Sequence, residues 1–292
     1  AAQQMPLMAD AGIQFPVTQY SEYPLEMETY TYSGGRMTGA ATSDGDSYSV
    51  TSNPLTLTEQ GDDYTSTLRN IRVNGNGFMT YAEISSSGSD YYDGNWYERG
   101  SVTWRYDAEG HLLGESGNIA ESSDGPYSWT CTYTWENGNL MNAEYRDEED
   151  GEVYRYVCTF TYGDGQWNNP GVYPAHLINV SGMELPVLFY SGLLGRTTKN
   201  IPASVTERNF DGDEESYTVT YNTIAVNYNQ DKSVQSVEVQ NASSYGSSYT
   251  YTYRYGYADY PIAQEDTYST APSVKGGQVV KSLKRARRMM RR

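Results

Sequence analysis

The sequence predicts an all-β protein built as one large antiparallel meander that curls into a barrel or half-barrel. Aromatic side chains alternate with Thr and Ser along many short segments, which is the period of a half-buried β-strand. Gly-containing turn signals separate these segments. The composition supports the same fold, because 30 tyrosines and five tryptophans can form a core in a chain that has few aliphatic residues.

The chain is predicted to have three parts. Residues 1–24 should form an extended N-terminal segment, residues 25–262 a single β-meander domain, and residues 263–292 a C-terminal tail with a basic amphipathic end. No linker divides the middle part. About a dozen strands joined by tight hairpins are too many to stay flat, so we expect the sheet to curl.

The strands are recognised by aromatic residues that recur at every second position. Alternate side chains of a strand point to opposite faces, so one face of the sheet should be aromatic and the other rich in Thr and Ser. The clearest segments are 102–106, 129–135, 154–162, 217–221 and 249–257. Gly, Asn and Asp tolerate the positive φ angles of tight hairpins. The predicted turns are Gly34-Gly35, Asp44-Gly45, Asn74-Gly75, Asp93-Gly94, Asn137-Gly138, Asp164-Gly165 and Asp211-Gly212.

Residues 171–202 interrupt this pattern with a concentrated aliphatic cluster and three prolines. We interpret the stretch as a short irregular or helical insert that plugs the sheet, and the alternative is the wall of a ligand pocket. Its plugging residues should be Leu185, Val187, Leu188, Phe189, Leu193 and Leu194.

Several strand–turn–strand units resemble the Tyr-Asp repeat, in which an aromatic residue ends one strand, polar residues turn and an aliphatic residue begins the next. These units lie at residues 104–112, 133–140 and 228–234. Residues 191–202 (SGLLGRTTKNIP), with the hairpins through 217–239, resemble a family of Bacteroides-type exported lipoproteins described as a domain of unknown function with a porin-like fold. The resemblance covers about residues 25–260 and implies a lipid-anchored or periplasmic β protein with no assigned activity. The chain departs from the pattern in lacking an anchoring Cys and in having the basic tail.

The two cysteines are predicted to be buried thiols that do not form a disulfide. With Asn137-Gly138 as a two-residue turn, Cys131 lies opposite Glu144. A following turn centred near residue 149 places Cys158 opposite Leu140. The thiols are then two strands apart and about four residues out of register, which exceeds the separation that a disulfide bridges.

The charge of the chain is unevenly distributed. The formal net charge is −17, but residues 281–292 contain seven of the 20 Lys and Arg residues and no acid, which leaves −24 on residues 1–280. Such a body repels nucleic acid and anionic membranes, so no nucleic-acid partner is expected. The basic tail can lie on an anionic membrane surface or dock on the acidic body.

We expect an exported protein of the periplasm, outer membrane or cell surface of a Gram-negative bacterium. The chain begins Ala-Ala-Gln-Gln, and residues 1–20 lack the features of a signal peptide, so any export signal or lipid anchor should already have been removed. No run of about 18 apolar residues predicts a membrane-spanning helix. Insertion of the meander itself is not expected, because Tyr fills the mid-strand positions where a lipid-facing barrel needs aliphatic residues.

The candidate ligand-binding residues are Trp96, Tyr97 and Trp167, which lie in Gly- and Asn-rich loops. Their flat rings suit the C–H faces of sugars, although a core role is the simpler interpretation for any aromatic residue. The remaining tryptophans sit in alternating strands and are expected in the core. Acidic clusters in the turns should be solvated, and His111 and His176 lack the neighbours of a nucleophilic triad. No metal site or cofactor is predicted.

The sequence therefore indicates a non-catalytic envelope protein, monomeric, whose leading specific role is binding a glycan or other extracellular ligand. One alternative is a carrier of an apolar ligand in the concave sheet. Another is a carboxylate-dependent glycoside hydrolase, which needs two acids about 5–10 Å apart in an aromatic cleft, with inward-facing acids such as Glu144 as candidates. A structural scaffold without a cleft is the third.

Overall fold

The computed structural model describes residues 4–23, 27–91, 94–243 and 248–263. In these residues the chain forms a closed barrel of sixteen antiparallel strands with two short helices. The strands are β1 (Gln19–Tyr23), β2 (Met27–Ser33), β3 (Arg36–Thr42), β4 (Ser47–Thr51), β5 (Thr56–Gln60), β6 (Tyr64–Val73), β7 (Met79–Asp90), β8 (Gly94–Tyr106), β9 (Leu112–Ser122), β10 (Tyr127–Glu136), β11 (Asn139–Glu149), β12 (Glu152–Thr161), β13 (Ser204–Asp211), β14 (Glu214–Tyr228), β15 (Val234–Ser243) and β16 (Thr250–Gly256). The helices are α1 (Ala175–Val180) and α2 (Pro186–Tyr190).

Each strand pairs with its neighbours in sequence, and β1 pairs with β16 to close the barrel. The prediction of an all-β curled meander is confirmed, and the barrel is complete rather than half-formed. The first strand begins at Gln19, six residues before the predicted start of the meander. The described chain ends at Ala263, so the predicted basic tail lies outside the described residues. None of the described helices is both long and apolar enough to span a membrane.

The hairpins follow the turn chemistry that the sequence indicates. Asn137 and Gly138 connect β10 to β11 with φ angles of 52° and 80°, the left-handed conformation that a tight two-residue hairpin requires. Asp164-Gly165 is an exception among the predicted turns, because it leads from β12 into the insert and does not join two paired strands.

The two faces of the sheet have opposite polarity. Along β10, Trp129, Cys131 and Tyr133 are 5%, 2% and 3% exposed and face the interior, whereas the intervening threonines are exposed. Since alternate residues of a strand point to opposite faces, the aromatic face lines the barrel and the Thr-rich face is its outer surface. The predicted alternation therefore fixes which face is buried.

One end of the barrel, here called the plugged end, is covered by residues 4–18 and by the insert. Met8 N–H donates to the Gly35 carbonyl (3.1 Å) in the β2–β3 turn, and Lys199 N–H donates to the Gly138 carbonyl (2.9 Å) in the β10–β11 turn. The N-terminal segment is therefore not a simple extended lead, because it folds over the barrel and buries Ala11 and Ile13. The opposite end, formed by the alternate set of hairpins, is called the distal end.

The insert fills the interior of the barrel next to the plugged end. Helix α1 packs against β11 and β12, and Leu188, Phe189 and Tyr190 of α2 are at most 1% exposed. The Tyr190 ring lies 5.4 Å from the ring of Tyr20 and 5.6 Å from that of Tyr30, on two strands of the wall. The interpretation of this stretch as a helical plug is confirmed.

Cys131 and Cys158 are buried and do not form a disulfide, but their predicted registers are wrong. Cys131 pairs with Tyr145 and Cys158 with Ala143. Met141 is an extra residue in a bulge of β11 opposite Thr134 and Trp135, and the β11–β12 turn is centred at Asp150-Gly151 instead of residue 149. Two strand spacings and an offset of two residues still separate the Cα atoms by about 12 Å, too far for a bridge.

Candidate functional site

The predicted ligand residues do not form one site. Strand β8 starts at the distal end, so Trp96 and Tyr97 lie there, whereas Trp167 follows β12 at the plugged end. Trp167 is half-buried against the core, and its carbonyl accepts a hydrogen bond from Ile201 N–H (3.0 Å). The structure thus separates Trp167 from the other two residues by the height of the barrel.

Trp96 and Tyr97 both line a groove of about 620 Å³ at the distal end, here called the rim groove. It lies between the β5–β6 turn and the ends of β7 and β8. Its lining combines rings with carboxylates, amides and hydroxyls: Gln60, Asp62, Asp63, Tyr64, Thr65, Ser87, Gly88, Ser89, Asn95, Trp96 and Tyr97. Asp62 and Asp63 form one of the acidic turn clusters that the sequence predicts to be solvated. Their position beside Trp96 depends on the pairing of β6 with β7 and of β7 with β8, which the local sequence does not reveal.

The two rings of the rim groove present different surfaces. Trp96 pairs with Gly88 on the inner face, and a Cβ at Gly88 would come within 2.9 Å of its Cζ2 atom, so the indole lies directly on the Gly88 backbone. Tyr97 is on the outer face, 43% exposed, with the Arg99 guanidinium 5.8 Å from its ring centre. A ligand in the groove can therefore contact a fixed indole, an exposed phenol and the Asp62-Asp63 carboxylates.

The inner wall of the barrel carries a second feature, a series of tyrosine hydroxyls that donate to inward-facing acids. The donor–acceptor sets are Tyr30 with Glu28, Tyr64 with Asp46 and Glu59, Tyr127 with Glu98, Tyr145 with Asp147, and Tyr156 and Tyr221 with Glu207. Burial raises the pKa of Tyr30 well above its ordinary value, and the neighbouring Glu28 raises it further. The hydroxyls consequently remain protonated donors, and each satisfies a carboxylate inside the barrel.

His176 of helix α1 contacts this wall. Its Nε2 lies 3.3 Å from Glu207 Oε2, and both side chains are largely buried. Burial alone would raise the pKa of Glu207, but hydrogen bonds from His176, Tyr156 and Tyr221 outweigh it and hold that pKa below the ordinary value. His176 therefore attaches α1 to the barrel wall through its hydrogen bond to the Glu207 carboxylate.

Among the residues that the structure describes, Glu115 on β9 is the most extensively hydrogen-bonded carboxylate of the interior. It is 2% exposed and accepts hydrogen bonds from the indole N–H groups of Trp104 (2.9 Å) and Trp129 (2.8 Å), the Cys131 thiol (3.4 Å), Ser181 Oγ (2.7 Å) and Gly182 N–H (2.6 Å). Among the described residues it forms no ion pair. Because three of its donors belong to the wall and two to the insert, Glu115 fixes the plug in position.

The features that the two alternative functions require are only partly present. The cavity beside His176 and Tyr253 measures about 50 Å³, room for about one or two waters and too small for a lipid-sized ligand. Glu144 is not an inward acid as predicted, because the Met141 bulge turns it to the outer face, where it pairs with Arg155 at 2.9 Å.

Comparison with known proteins gives structural neighbours only. No protein-family model matches the sequence, and no curated protein matches it. A porin-like protein from Bacteroides uniformis is 16% identical, with a TM-score of 0.53 over 84% of this chain and 97% of the neighbour. A porin-like protein from Bacteroides vulgatus is 15% identical, with a TM-score of 0.57 over 83% of this chain and 98% of the neighbour. The chain therefore has the fold of these porin-like Bacteroides barrels.

Proposed function

We propose that this protein is an exported, non-catalytic envelope protein that binds a glycan in the rim groove. The observation that carries the proposal is the lining of that groove, in which aromatic faces stand beside carboxylate and amide groups. Sugars offer apolar C–H faces and hydroxyl donors, which match rings and oxygen acceptors respectively. The exposed Tyr91, which follows β7 next to the groove, would extend the contact surface.

In this role the barrel lies in an aqueous compartment of the envelope. A transmembrane barrel has an apolar outer band and a polar lumen. Here the arrangement is reversed, because Thr, Ser and charged residues cover the outer face and Tyr, Trp and aliphatic residues fill the interior. A polar outer surface supports a barrel surrounded by water, as the sequence also predicts.

The test is glycan-array screening of the full chain, followed by calorimetry of any hit with three variants. Replacing Tyr97 or Asp63 by Ala should weaken binding by about five- to thirtyfold, because each removes one contact of about 1–2 kcal/mol from the groove. Trp167→Ala is the matched control, since it deletes a candidate ring at the plugged end, and binding should stay unchanged.

Two results would contradict the proposal. Binding that survives Tyr97→Ala and Asp63→Ala, but is lost in Trp167→Ala, would move the site to the plugged end. Release of reducing sugar from the bound glycan would make the protein a hydrolase; the acids to examine would then be Asp46 and Glu59, which share the hydroxyl of Tyr64.

A further inference from the structure

The β8–β9 turn at the plugged end brings three metal-ligating side chains together. Among the described residues, Asp107, Glu109 and His111 form the one group of this kind whose ligand atoms all lie within 4.8 Å of one another. His111 Nδ1 is 3.0 Å from Asp107 Oδ2 and 3.6 Å from Glu109 Oε2. The rim groove does not include these residues, because it lies at the opposite end of the barrel.

From this geometry we propose that Asp107, Glu109 and His111 form a Zn²⁺ site. Zinc binds imidazole nitrogen and carboxylate oxygen at about 2.0–2.2 Å, so neighbouring ligand atoms of a tetrahedral site are about 3.3 Å apart. The separations of 3.0 and 3.6 Å bracket that value. A single ring nitrogen facing two carboxylates is one donor for two acceptors, and a cation at the centre satisfies all three groups.

Two of the ligands are held in place by contacts that do not involve the metal. Asp107 Oδ1 accepts hydrogen bonds from the backbone N–H groups of Glu109 (2.9 Å) and His111 (2.8 Å), which directs Oδ2 toward the imidazole. The His111 ring stacks on Trp135 with 4.4 Å between ring centres. Such outer contacts orient the ligands of protein metal sites.

Glu109 is the exposed third ligand. Its side chain is 75% exposed, whereas that of His111 is 8% exposed, so the ion would be reached from solvent and Glu109 would close over it. Binding requires the Nδ1 hydrogen of His111 to be released, with the ring proton on Nε2 in the complex. Three protein ligands leave the fourth zinc position for water.

The same turn is tied to the plug, since Arg196 N–H donates to the Gly110 carbonyl at 2.9 Å. A metal that clamps residues 107–111 would therefore also stabilise the attachment of the insert to the plugged end. Zinc should raise the melting temperature of the protein, because a ligand that binds only the native state stabilises it.

The experiment is calorimetric titration of the untagged full chain with ZnCl₂, compared with two variants. Wild type should bind one Zn²⁺ per chain. Glu109→Gln and Asp107→Asn should weaken binding by roughly tenfold or more, because each removes a ligand; the side-chain amide introduced by Asp107→Asn keeps one oxygen to accept the two backbone bonds. Glu136→Gln, an exposed acid at the same barrel end, is the matched control and should bind zinc like wild type.

A second readout uses the two histidines of the chain. In ¹⁵N-detected NMR, zinc should shift the ring nitrogens of His111 and leave those of His176, inside the barrel, unchanged. Absence of one-to-one binding, an unaltered affinity in Glu109→Gln, or a zinc shift at His176 alone would each overturn the proposal. Tight calcium binding without zinc binding would do so as well, since calcium selects oxygen ligands.

Discussion

At the scale of single residues, Glu115 shows how a carboxyl group is accommodated in this interior. Its two oxygens accept two indole, one thiol, one hydroxyl and one backbone hydrogen bond. Replacing Glu115 by Ala should lower the free energy of unfolding by about 3 kcal/mol or more, because five donors in the interior lose their acceptor. Urea denaturation followed by Trp fluorescence measures the change.

The control for this substitution is Glu83→Ala. Glu83 is an acid on the outer face that pairs with Arg69 at 3.3 Å, with 35% of its side chain exposed. Exposed ion pairs contribute at most about 1 kcal/mol, so this variant should be close to wild type. Equal losses of unfolding free energy in Glu115→Ala and Glu83→Ala would mean that Glu115 does not anchor the insert.

Glu28 makes stability depend on pH. Burial raises the pKa of Glu28 from its ordinary value of 4.5 to about 7, although the bond from Tyr30 lowers it and Glu59 raises it. Between about pH 4.5 and 7, the native Glu28 carboxyl therefore keeps a proton that the unfolded chain has already released. Its stabilising contribution is complete below pH 4.5 and is lost as the pH rises through 7.

Glu28→Gln should remove this dependence. The free energy of unfolding of the variant should match that of wild type near pH 4.5 and exceed it by about 1–2 kcal/mol at pH 8. This gain is smaller than the whole pKa shift of Glu28 would give, because the Glu28 side chain is only partly shielded from solvent. Urea unfolding at both pH values measures it, and Glu121→Gln on the outer face gives the baseline for removing one exposed charge. A variant less stable than wild type at pH 8 would refute the assignment.

The tyrosine–carboxylate bonds mark the limit of prediction for single residues. Alternation identified Tyr156 as a residue of a buried face, because the pattern is local. Its partner could not be found in the same way, because Glu207 reaches Tyr156 only through the pairing of β12 with β13. The same reason hid the link between Trp96 and the Asp62-Asp63 turn.

At the scale of elements, Trp129 of β10 is the point where wall and insert meet. Its indole lies between Gly117 of β9 and Gly182 of the insert, and a Cβ at either glycine would overlap the ring. Gly117→Ala and Gly182→Ala should each destabilise the protein by about 1–3 kcal/mol through overpacking. Gly75→Ala, in a turn with no neighbouring atom within 4 Å, should change stability by less than about 0.5 kcal/mol.

Urea denaturation of the three glycine variants gives these values, and near-ultraviolet circular dichroism reports the environment of the indole. The signal should change in Gly182→Ala and stay as in wild type in Gly75→Ala. If Gly182→Ala were as stable as wild type with an unaltered spectrum, the insert would not be seated on Trp129.

The β10–β11 hairpin shows why elements are easier to predict than their register. The Asn137-Gly138 turn and the alternation of both strands were correctly identified from local chemistry. Met141 adds one residue to β11, and a single added residue reverses the face of every side chain that follows it in the strand. Glu144 was placed inside for this reason, and nothing in the hydrophobic pattern marks the bulge.

For the whole molecule, closure is the property that the sequence left open. A long meander predicts curvature, but whether its first and last strands meet depends on the accumulated twist and stagger of all strands. Here Tyr20 of β1 stacks on Tyr255 of β16, with 5.6 Å between ring centres, and the two residues are register partners. Aromatic residues at the seam thus contribute to closing the barrel.

Closure can be tested by amide hydrogen exchange. In a closed barrel Tyr20 and Tyr255 lie in paired strands, so their protection factors should fall within about tenfold of those of Val102 and Ile119 in β8 and β9, far from the seam. In an open half-barrel β1 and β16 would be edge strands, and their unpaired amides would exchange faster by about a thousandfold or more. Comparable protection at the β1–β16 seam and in β8–β9 means one cooperative barrel, because all four amides then exchange only through global unfolding. Rapid exchange confined to the seam would show that β1 and β16 do not pair in solution.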